Sequence, residues 1–385
     1  MTMHEPLTRM GELIALPSIS SVSPEYDHSN QAVVERLGEW LEDLGFAVEL
    51  LALPNRPGKA DLIATLGRGP GGLVLAGHTD TVPYDAALWH SDPFTLTEAN
   101  GRLYGLGTCD MKGFFPLVIE AVRHFQAQDL VEPLIVLATA DEESSMEGAK
   151  ALVAAGRPRA RYAVIGEPTS LIPVRMHKGI LMEGIRILGR SGHSSDPSLG
   201  VNAIEGMSRV LVELLAWRTE LQANHYQPQF KVPVPTLNLG RIYGGDNPNR
   251  ICGSCELHID LRPLPGMDPE ELRVNLRARL AAVLSGTGLE FEVFSLFCGT
   301  PALETPASSP LVQAAEALTG HPAEAVAFAT EAPYLQQLGA DTIILGPGNI
   351  SEAHQPNEYL AMDRLQPTID LLTALITRFC VAPNG

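Results

Sequence analysis

Basic residues are scarce in this chain of 385 residues. It has 27 lysines and arginines against 45 aspartates and glutamates, which gives a formal net charge of −18. Nucleic acids and anionic membranes attract proteins through basic surfaces, so this balance argues against both as partners. No apolar run approaches the ~18–20 residues of a membrane-spanning helix. The N-terminal stretch MTMHEPLTRMGELIALPSIS lacks a basic segment followed by a long apolar core, so we expect no secretory signal.

Cysteine is also rare, with five residues in the whole chain. Such a sparse, odd set does not form the paired pattern of a disulfide-rich secreted protein, and we expect a reducing cytoplasm. Cys252 and Cys255 make a single CxxC pair at the start of an alternating strand, without the second pair of a zinc knuckle. We interpret the pair as strand packing, and a metal or redox role is the less favoured alternative.

What the chain does contain is a series of short apolar runs separated by helical patterns. These runs are typical of buried strands. They are Leu73–Ala76, Leu134–Ala138, Tyr162–Ile165 and Thr342–Leu345. Alternation of strands and helices predicts an α/β fold, with a mostly parallel sheet flanked by helices.

The middle of the chain has a different pattern. Along Cys255–Leu261, apolar and polar residues alternate strictly, which is typical of a strand with one exposed face in an antiparallel sheet. The order of elements in this region is βαββαβ, the split βαβ arrangement of ferredoxin-like domains. We therefore predict an inserted α+β domain over residues 179–292. It would divide the catalytic domain into residues 1–178 and 293–385.

Polar residues follow the predicted buried strands at the points where they end. His78 and Asp80 follow the first strand, Asp141-Glu142-Glu143 follows the second, and Glu167 follows the third. Ligands of open α/β sheets bind just outside the carboxyl ends of the strands. We therefore expect these side chains to converge.

Five residues are candidate metal ligands: His78, Asp110, Glu143, Glu167 and His354. Two imidazoles and three carboxylates, without thiolates, suit divalent zinc, cobalt or manganese. Five ligands are too many for one ion, but they fit two ions if one carboxylate bridges them. A single histidine at a strand end is usually structural, and a Glu-Glu pair is usually solvated, so the prediction depends on the joint pattern.

Two further acidic residues have predicted roles beside these ligands. Asp80 is placed to accept the other ring N–H of His78, which would fix the imidazole tautomer. Glu142 precedes the candidate ligand Glu143, so its side chain should point elsewhere. A free carboxylate beside a two-metal site is the expected general base for a water molecule.

The motifs GHTDTVP, GTCDMKG, ATADEES and IGEPT resemble the two-metal zinc aminoacylase and carboxypeptidase family of amidohydrolases. The resemblance covers nearly the whole chain. It implies two divalent ions, with zinc preferred over cobalt or manganese. His78 and Glu167 would hold one ion, Glu143 and His354 the other, and Asp110 would bridge them. It also implies Glu142 as the general base, Asp80 as the partner of His78, and a cis peptide after Asp110.

The same resemblance implies functions for the inserted domain. It would be a dimerisation or lid domain that forms a homodimer through residues 179–292. His193 would reach the neighbouring subunit's active site and stabilise the oxyanion. Without the resemblance, the residues around His193 favour an ordinary loop histidine. Arg250 would bind the substrate carboxylate, with Asn249 a weaker candidate. Gly346 and Gly348 would allow the backbone to approach the substrate.

Longer blocks such as GEPTSLIPVRMHKG resemble one branch of this family, and that resemblance implies a small acetylated amino acid, N-acetyl-L-ornithine, as substrate. Glu331 would then bind the distal ammonium, and an ordinary helix-terminal glutamate is the equally favoured alternative. Succinyl-diaminopimelate, acetyl-citrulline and acetyl-lysine are alternative substrates. A non-catalytic binding protein is disfavoured because such a protein needs no general base at Glu142. A nucleotide-binding oxidoreductase is disfavoured because the glycine-rich segment 67–72 precedes a strand.

Overall fold

The computed structural model describes residues 4–381, except for the side chain of Cys298. The chain divides into two compact units. Unit 1 comprises Met1–Arg175, Thr305–Glu324 and Thr330–Gly385, and unit 2 comprises Met176–Glu304 and Ala325–Ala329. Residues 1–3 and 382–385, the two ends of the predicted catalytic domain, lie outside the described residues. Between residues 4 and 381, no helix has the length and hydropathy to span a membrane.

The elements are numbered along the chain. The helices are α1 (His4–Ile14), α2 (Gln31–Asp43), α3 (Phe114–Val122), α4 (Glu147–Ala155), α5 (Ala203–Asn224), α6 (Pro269–Leu284), α7 (Pro310–Thr319), α8 (Ala332–Gln337) and α9 (Leu365–Cys380). The strands are β1 (Ala47–Ala52), β2 (Ala60–Leu66), β3 (Leu73–His78), β4 (Thr97–Ala99), β5 (Arg102–Tyr104), β6 (Leu134–Thr139), β7 (Tyr162–Pro168), β8 (Val174–His177), β9 (Ile180–Leu188), β10 (Thr236–Gly244), β11 (Ser254–Arg262), β12 (Glu290–Thr300), β13 (Leu303–Glu304), β14 (Glu324–Val326), β15 (Asp341–Gly346) and β16 (Tyr359–Ala361).

The main sheet of unit 1 has its predicted parallel strands at the centre. Its order begins β1-β2-β6-β3-β7-β15, in which β3 is parallel to β6 and β7, and β15 is parallel to β7. Strands β3 and β6 are buried at every residue, because α3 and α9 contribute to the apolar core that covers them. β1 and β2 extend the sheet by antiparallel pairing, so the sheet is mixed. The α/β prediction is confirmed, and its parallel part is the centre of the sheet.

Unit 2 contains the predicted βαββαβ order. Its elements β9-α5-β10-β11-α6-β12 form a four-stranded antiparallel sheet of order β10-β11-β9-β12. The core lies between this sheet and the helices, with residues such as Leu214 of α5 and Leu276 of α6 packed with Leu257 of β11. Asp268 caps α6 by accepting the N–H groups of Glu270 and Glu271 at 2.7 and 3.0 Å.

The limits of unit 2 differ from the predicted range 179–292. The unit begins at Met176 and continues to Glu304, with a short return at Ala325–Ala329. Strand β12 pairs with β9 from Glu290, opposite Leu188, as far as Thr300, opposite Ile180. The predicted second boundary therefore falls within a paired strand. Register shifts between Ser295 and Thr300 interrupt the alternation by which sequence patterns identify a strand.

Candidate metal centre

The candidate ligands of unit 1 come from neighbouring strand ends. β3 ends at His78, β6 ends at Thr139 just before Glu142 and Glu143, and β7 carries Glu167 near its last residue. Because β6, β3 and β7 are adjacent and parallel, their carboxyl ends meet at one edge of the sheet. Two loops bring Asp110 and His354 to the same edge.

One group of contacts surrounds His78. Its Nε2 lies 3.1 Å from Asp110 Oδ1 and 3.7 Å from Glu167 Oε1. All three side chains are buried. The Asp110–Met111 peptide is cis, as the family resemblance implies.

A second group surrounds His354. Its Nε2 lies 3.0 Å from Glu143 Oε1 and 3.5 Å from Asp110 Oδ2. The two carboxylate oxygens of Asp110 therefore face different histidines, which is the arrangement expected of a carboxylate between two ions. The His354 side chain is 54% exposed, so this half of the centre is open to solvent.

The donor set fits divalent cations. Potential ligand atoms of His78, Asp110 and Glu143 lie within 4.8 Å of one another, and so do those of His78, Glu142 and Glu167. Among the described residues, no lysine or arginine forms an ion pair with these four carboxylates. Buried like charges at such spacing repel strongly unless protons or cations neutralise them. Nitrogen and oxygen donors without sulfur are suitable for zinc, cobalt or manganese.

The pKa shifts follow from this crowding. Burial and the neighbouring Asp110 raise the pKa of Glu167 well above its ordinary value. Burial and the neighbouring Glu167 likewise raise the pKa of Glu142 well above its ordinary value. Burial opposes protonation of His78, but the surrounding carboxylates outweigh it and raise the pKa of this imidazole. The site therefore attracts positive charge, whether as protons or as metal ions.

Asp80 has a different hydrogen-bonding pattern from the predicted one. His78 Nδ1 lies 3.0 Å from the backbone oxygen of Asp80 and 3.6 Å from its carboxylate. The backbone carbonyl is thus the closer acceptor for the ring N–H. The carboxylate instead accepts the N–H groups of Glu142 and Glu143 at 3.3 and 3.0 Å. Asp80 therefore connects the His78 strand end to the loop that carries the predicted base.

That loop has a second anchor, which the sequence patterns did not identify. Asp141 has a left-handed backbone, with φ of 58°. Its buried carboxylate accepts hydrogen bonds from Lys59 Nζ at 2.6 Å and Ser20 Oγ at 2.9 Å. Lys59 is itself almost fully buried. This ion pair fixes the residue immediately before Glu142.

Glu331 is buried at the first turn of α8. Its side chain is 1% exposed, and neither carboxylate oxygen makes a hydrogen bond of ordinary geometry. Burial raises the pKa of Glu331 to about 7, against opposing contributions from the Thr139 hydroxyl and His78. Its predicted role as an ammonium partner stays a prediction.

The predicted glycines both lie against backbone near candidate ligands. A Cβ at Gly346 would lie 2.0 Å from Gly166 O and 2.4 Å from Glu167 O. A Cβ at Gly348 would lie 2.6 Å from Cys109 Sγ. Glycine is required at both positions by this close approach, and direct contact with a substrate stays a prediction.

The remaining predicted residues lie together on an exposed surface of unit 2. His193 and Arg250 face each other in an isolated antiparallel bridge, and Asn249 O accepts the N–H of Ser194 at 3.0 Å. His193 Nδ1 is 2.7 Å from Ser195 Oγ. The Arg250 guanidinium is 2.5 Å from the Asp246 carboxylate. Arg250 would have to exchange this partner to bind a substrate carboxylate.

Comparison with known proteins agrees with this geometry. The model of peptidase family M20/M25/M40 matches residues 74–378. Acetylornithine deacetylase of Edwardsiella ictaluri is 51% identical over 368 residues, which cover 96% of each chain.

Solved structures show the same fold. An M20 family metallo-carboxypeptidase from Sulfolobus solfataricus aligns with a TM-score of 0.76 at 19% identity, over 97% of this chain and 99% of that one. A Bacillus subtilis protein, described as a dinuclear metal binding peptidase of the M20 family, aligns with a TM-score of 0.66 at 16% identity, over 97% of each chain. The chain therefore belongs to peptidase family M20/M25/M40.

Proposed function

We propose that this chain is a two-metal amide hydrolase that converts N2-acetyl-L-ornithine to L-ornithine and acetate. The observation that carries the proposal is the convergence of His78, Asp110, Glu143, Glu167 and His354 at one sheet edge, beside Glu142. Identity of 51% to an acetylornithine deacetylase supports the substrate. Such a reaction would belong to arginine biosynthesis in the cytoplasm.

Zinc is the proposed ion at both positions. His78 and Glu167 would hold one ion, and Glu143 and His354 the other, with Asp110 shared between them. When bound, the ions would lower the pKa of the attacking water and polarise the acyl oxygen of the substrate.

Glu142 is the proposed general acid–base residue. Its carboxylate would take a proton from the attacking water and later give it to the α-amine nitrogen of the leaving ornithine. Burial supports this role, because it raises the pKa of the carboxyl group and makes it a better proton acceptor. The hydrogen bond from the Glu142 backbone N–H to Asp80 would hold the base in place.

We further propose that the enzyme is a homodimer that associates through unit 2. His193 would stabilise the oxyanion of the neighbouring subunit's reaction, and Arg250 and Asn249 would bind the substrate carboxylate. Exposure of His193 and Arg250 supports these roles, since both side chains are accessible to a ligand.

Deacetylation assays before and after chelation test the proposal. Acetylornithine, succinyl-diaminopimelate, acetyl-citrulline and acetyl-lysine should be compared at equal concentration, with metal content measured in parallel. We expect acetylornithine to give the highest kcat/KM, chelation to abolish turnover, and zinc to restore it. His354→Ala should bind less metal, and the exposed His321→Ala is its control. Turnover that survives complete metal removal would contradict the mechanism, and preference for another substrate would contradict the assignment.

A further inference from the structure

Backbone N–H groups next to Asp110 converge on a single buried carboxylate, that of Glu358. Oε1 of Glu358 accepts the N–H groups of Cys109 at 2.7 Å, Asp110 at 2.9 Å and Gly107 at 3.1 Å. Oε2 accepts the Gly107 N–H at 3.0 Å. The residue is 1% exposed and was not among the candidates from the sequence.

The chain around this carboxylate is shaped as an anion-binding loop. Gly107 has a left-handed backbone, with φ of 87°, and a Cβ there would lie 2.9 Å from both Thr81 Cγ2 and Lys112 Cε. The Gly105 N–H donates to the backbone oxygen of Glu358 at 3.2 Å. Successive N–H groups that point into one concavity bind anions in many proteins. Here the chain's own carboxylate fills that concavity.

Glu358 also lies four residues after His354. The intervening stretch is fixed by Asn357, whose side chain donates to Leu88 O at 3.1 Å and accepts the His90 N–H at 2.7 Å. Both His354 and Asn357 have positive φ, so this stretch is a tight turn that ends at Glu358. The carboxylate thus joins the backbone that carries one candidate ligand to the backbone that carries another.

We propose that Glu358 is a positioning residue for the metal centre. It fixes the backbone before Asp110 relative to the turn that presents His354, so that the two side chains meet at their 3.5 Å separation. It is not a sixth ligand, because both of its oxygens are occupied by backbone N–H donors. The inference rests on the proposed two-metal function and deepens it.

The direct test is metal affinity of Glu358→Gln. An amide oxygen can take the place of Oε1, so the variant should fold, but the negative charge is lost and the amide N–H group faces Gly107. Zinc titration of the metal-stripped protein should show that the affinity for at least one ion is reduced about 10–100-fold. This is the usual effect of removing a residue that orients the metal ligands. At low zinc, kcat should fall, and excess zinc should restore most of it. Glu98→Gln, an exposed glutamate on β4, is the control and should match the wild type.

A merely structural role predicts a different result. In that case Glu358→Gln would lower the melting temperature and leave zinc affinity at the wild-type value, which would overturn the proposal. If Glu358→Gln does not fold, Glu358→Asp decides the question. It keeps the charge but draws the carboxylate back by one methylene, so weaker zinc binding supports positioning and unchanged binding overturns it.

The two proposals can fail separately. Wild-type protein that binds two zinc ions but does not hydrolyse acetylornithine contradicts the proposed substrate and leaves the Glu358 titration meaningful. Wild-type affinity in Glu358→Gln, with normal deacetylation by the wild type, contradicts only the positioning role.

Discussion

The buried carboxylates of unit 2 face arginines, whereas those of the candidate metal centre in unit 1 lie beside imidazoles and one another. In unit 2, Glu183 lies 2.7 Å from Arg273 and Glu256 lies 2.7 Å from Arg186. The Tyr243 hydroxyl, together with His258 and Arg186, lowers the pKa of Glu256 to about 2. Glu256 is therefore held in its charged form by its own neighbours.

In unit 1, burial moves the pKa of several acids in the opposite direction. It raises the pKa of Asp80 to about 6 and that of Glu331 to about 7. Among residues 4–381, neither of them forms an ion pair with a lysine or arginine. A carboxylate buried without a cation opposes folding in its charged form, so protonation or a bound cation is favoured there. The comparison indicates that the buried acids of unit 2 are neutralised within the chain, whereas those at the sheet edge of unit 1 attract protons or cations.

Removing the predicted base should have the largest effect. Glu142→Ala should lower kcat by about 10²–10⁴-fold, because proton transfer would then depend on water alone. Metal content should stay close to the wild-type value, since the five proposed ligands are intact. Glu147→Ala, at the start of α4, is the control for loss of a nearby glutamate. Wild-type turnover in Glu142→Ala would exclude this residue as the base.

Breaking a buried pair in unit 2 should have the next largest effect, on stability. Arg273→Met leaves the Glu183 carboxylate buried without its arginine, which typically destabilises a protein by roughly 3–5 kcal/mol. Urea unfolding measures the change. The double variant Glu183→Gln/Arg273→Met should regain most of the loss, because no buried charge remains. If Arg273→Met is as stable as the wild type, the buried acid Glu183 does not need its arginine, and the two units do not differ in this respect.

Glu331 links stability to pH in unit 1. Its pKa is raised to about 7 from an ordinary value of 4.5, so its contribution to stability is complete below pH 4.5 and is lost as the pH rises through 7. A shift of this size corresponds to roughly 3 kcal/mol at most. Glu331→Gln should therefore lose less stability than the wild type between pH 5 and 8 in thermal melts.

The same variant tests the predicted ammonium contact. If Glu331 binds the distal ammonium, Glu331→Gln should lose its preference for acetylornithine over a neutral acetyl-amino acid. An unchanged preference, with the altered pH dependence, would leave Glu331 with a role in folding alone.

Removing the charge of Glu292, the exposed partner of Arg186, should have the smallest effect on stability. Glu292 is 52% exposed and lies 2.9 Å from Arg186, which also pairs with the buried Glu256. Glu292→Gln should change the free energy of unfolding by less than about 0.5 kcal/mol, because solvent screens exposed ion pairs. A much larger loss would show that charge networks on the unit 2 sheet act together.

Part of this fold could be predicted because burial imposes simple patterns. Strands β3, β6, β7 and β15 are continuous apolar runs, since helices cover both faces of a parallel sheet. β1 was missed because most of its residues are exposed and its pattern is weak. The end of β12 was missed because its register shifts break the period of two.

The sequence by itself determined that His78, Glu143 and Glu167 follow buried strands, because residue type and strand order can be read from it directly. Only the tertiary structure decided that the Asp80 carboxylate accepts the N–H groups of Glu142 and Glu143, and that Glu358 accepts the N–H group of Asp110. Both depend on the directions of backbone N–H groups, and these directions are set by the path of the folded chain rather than by residue type.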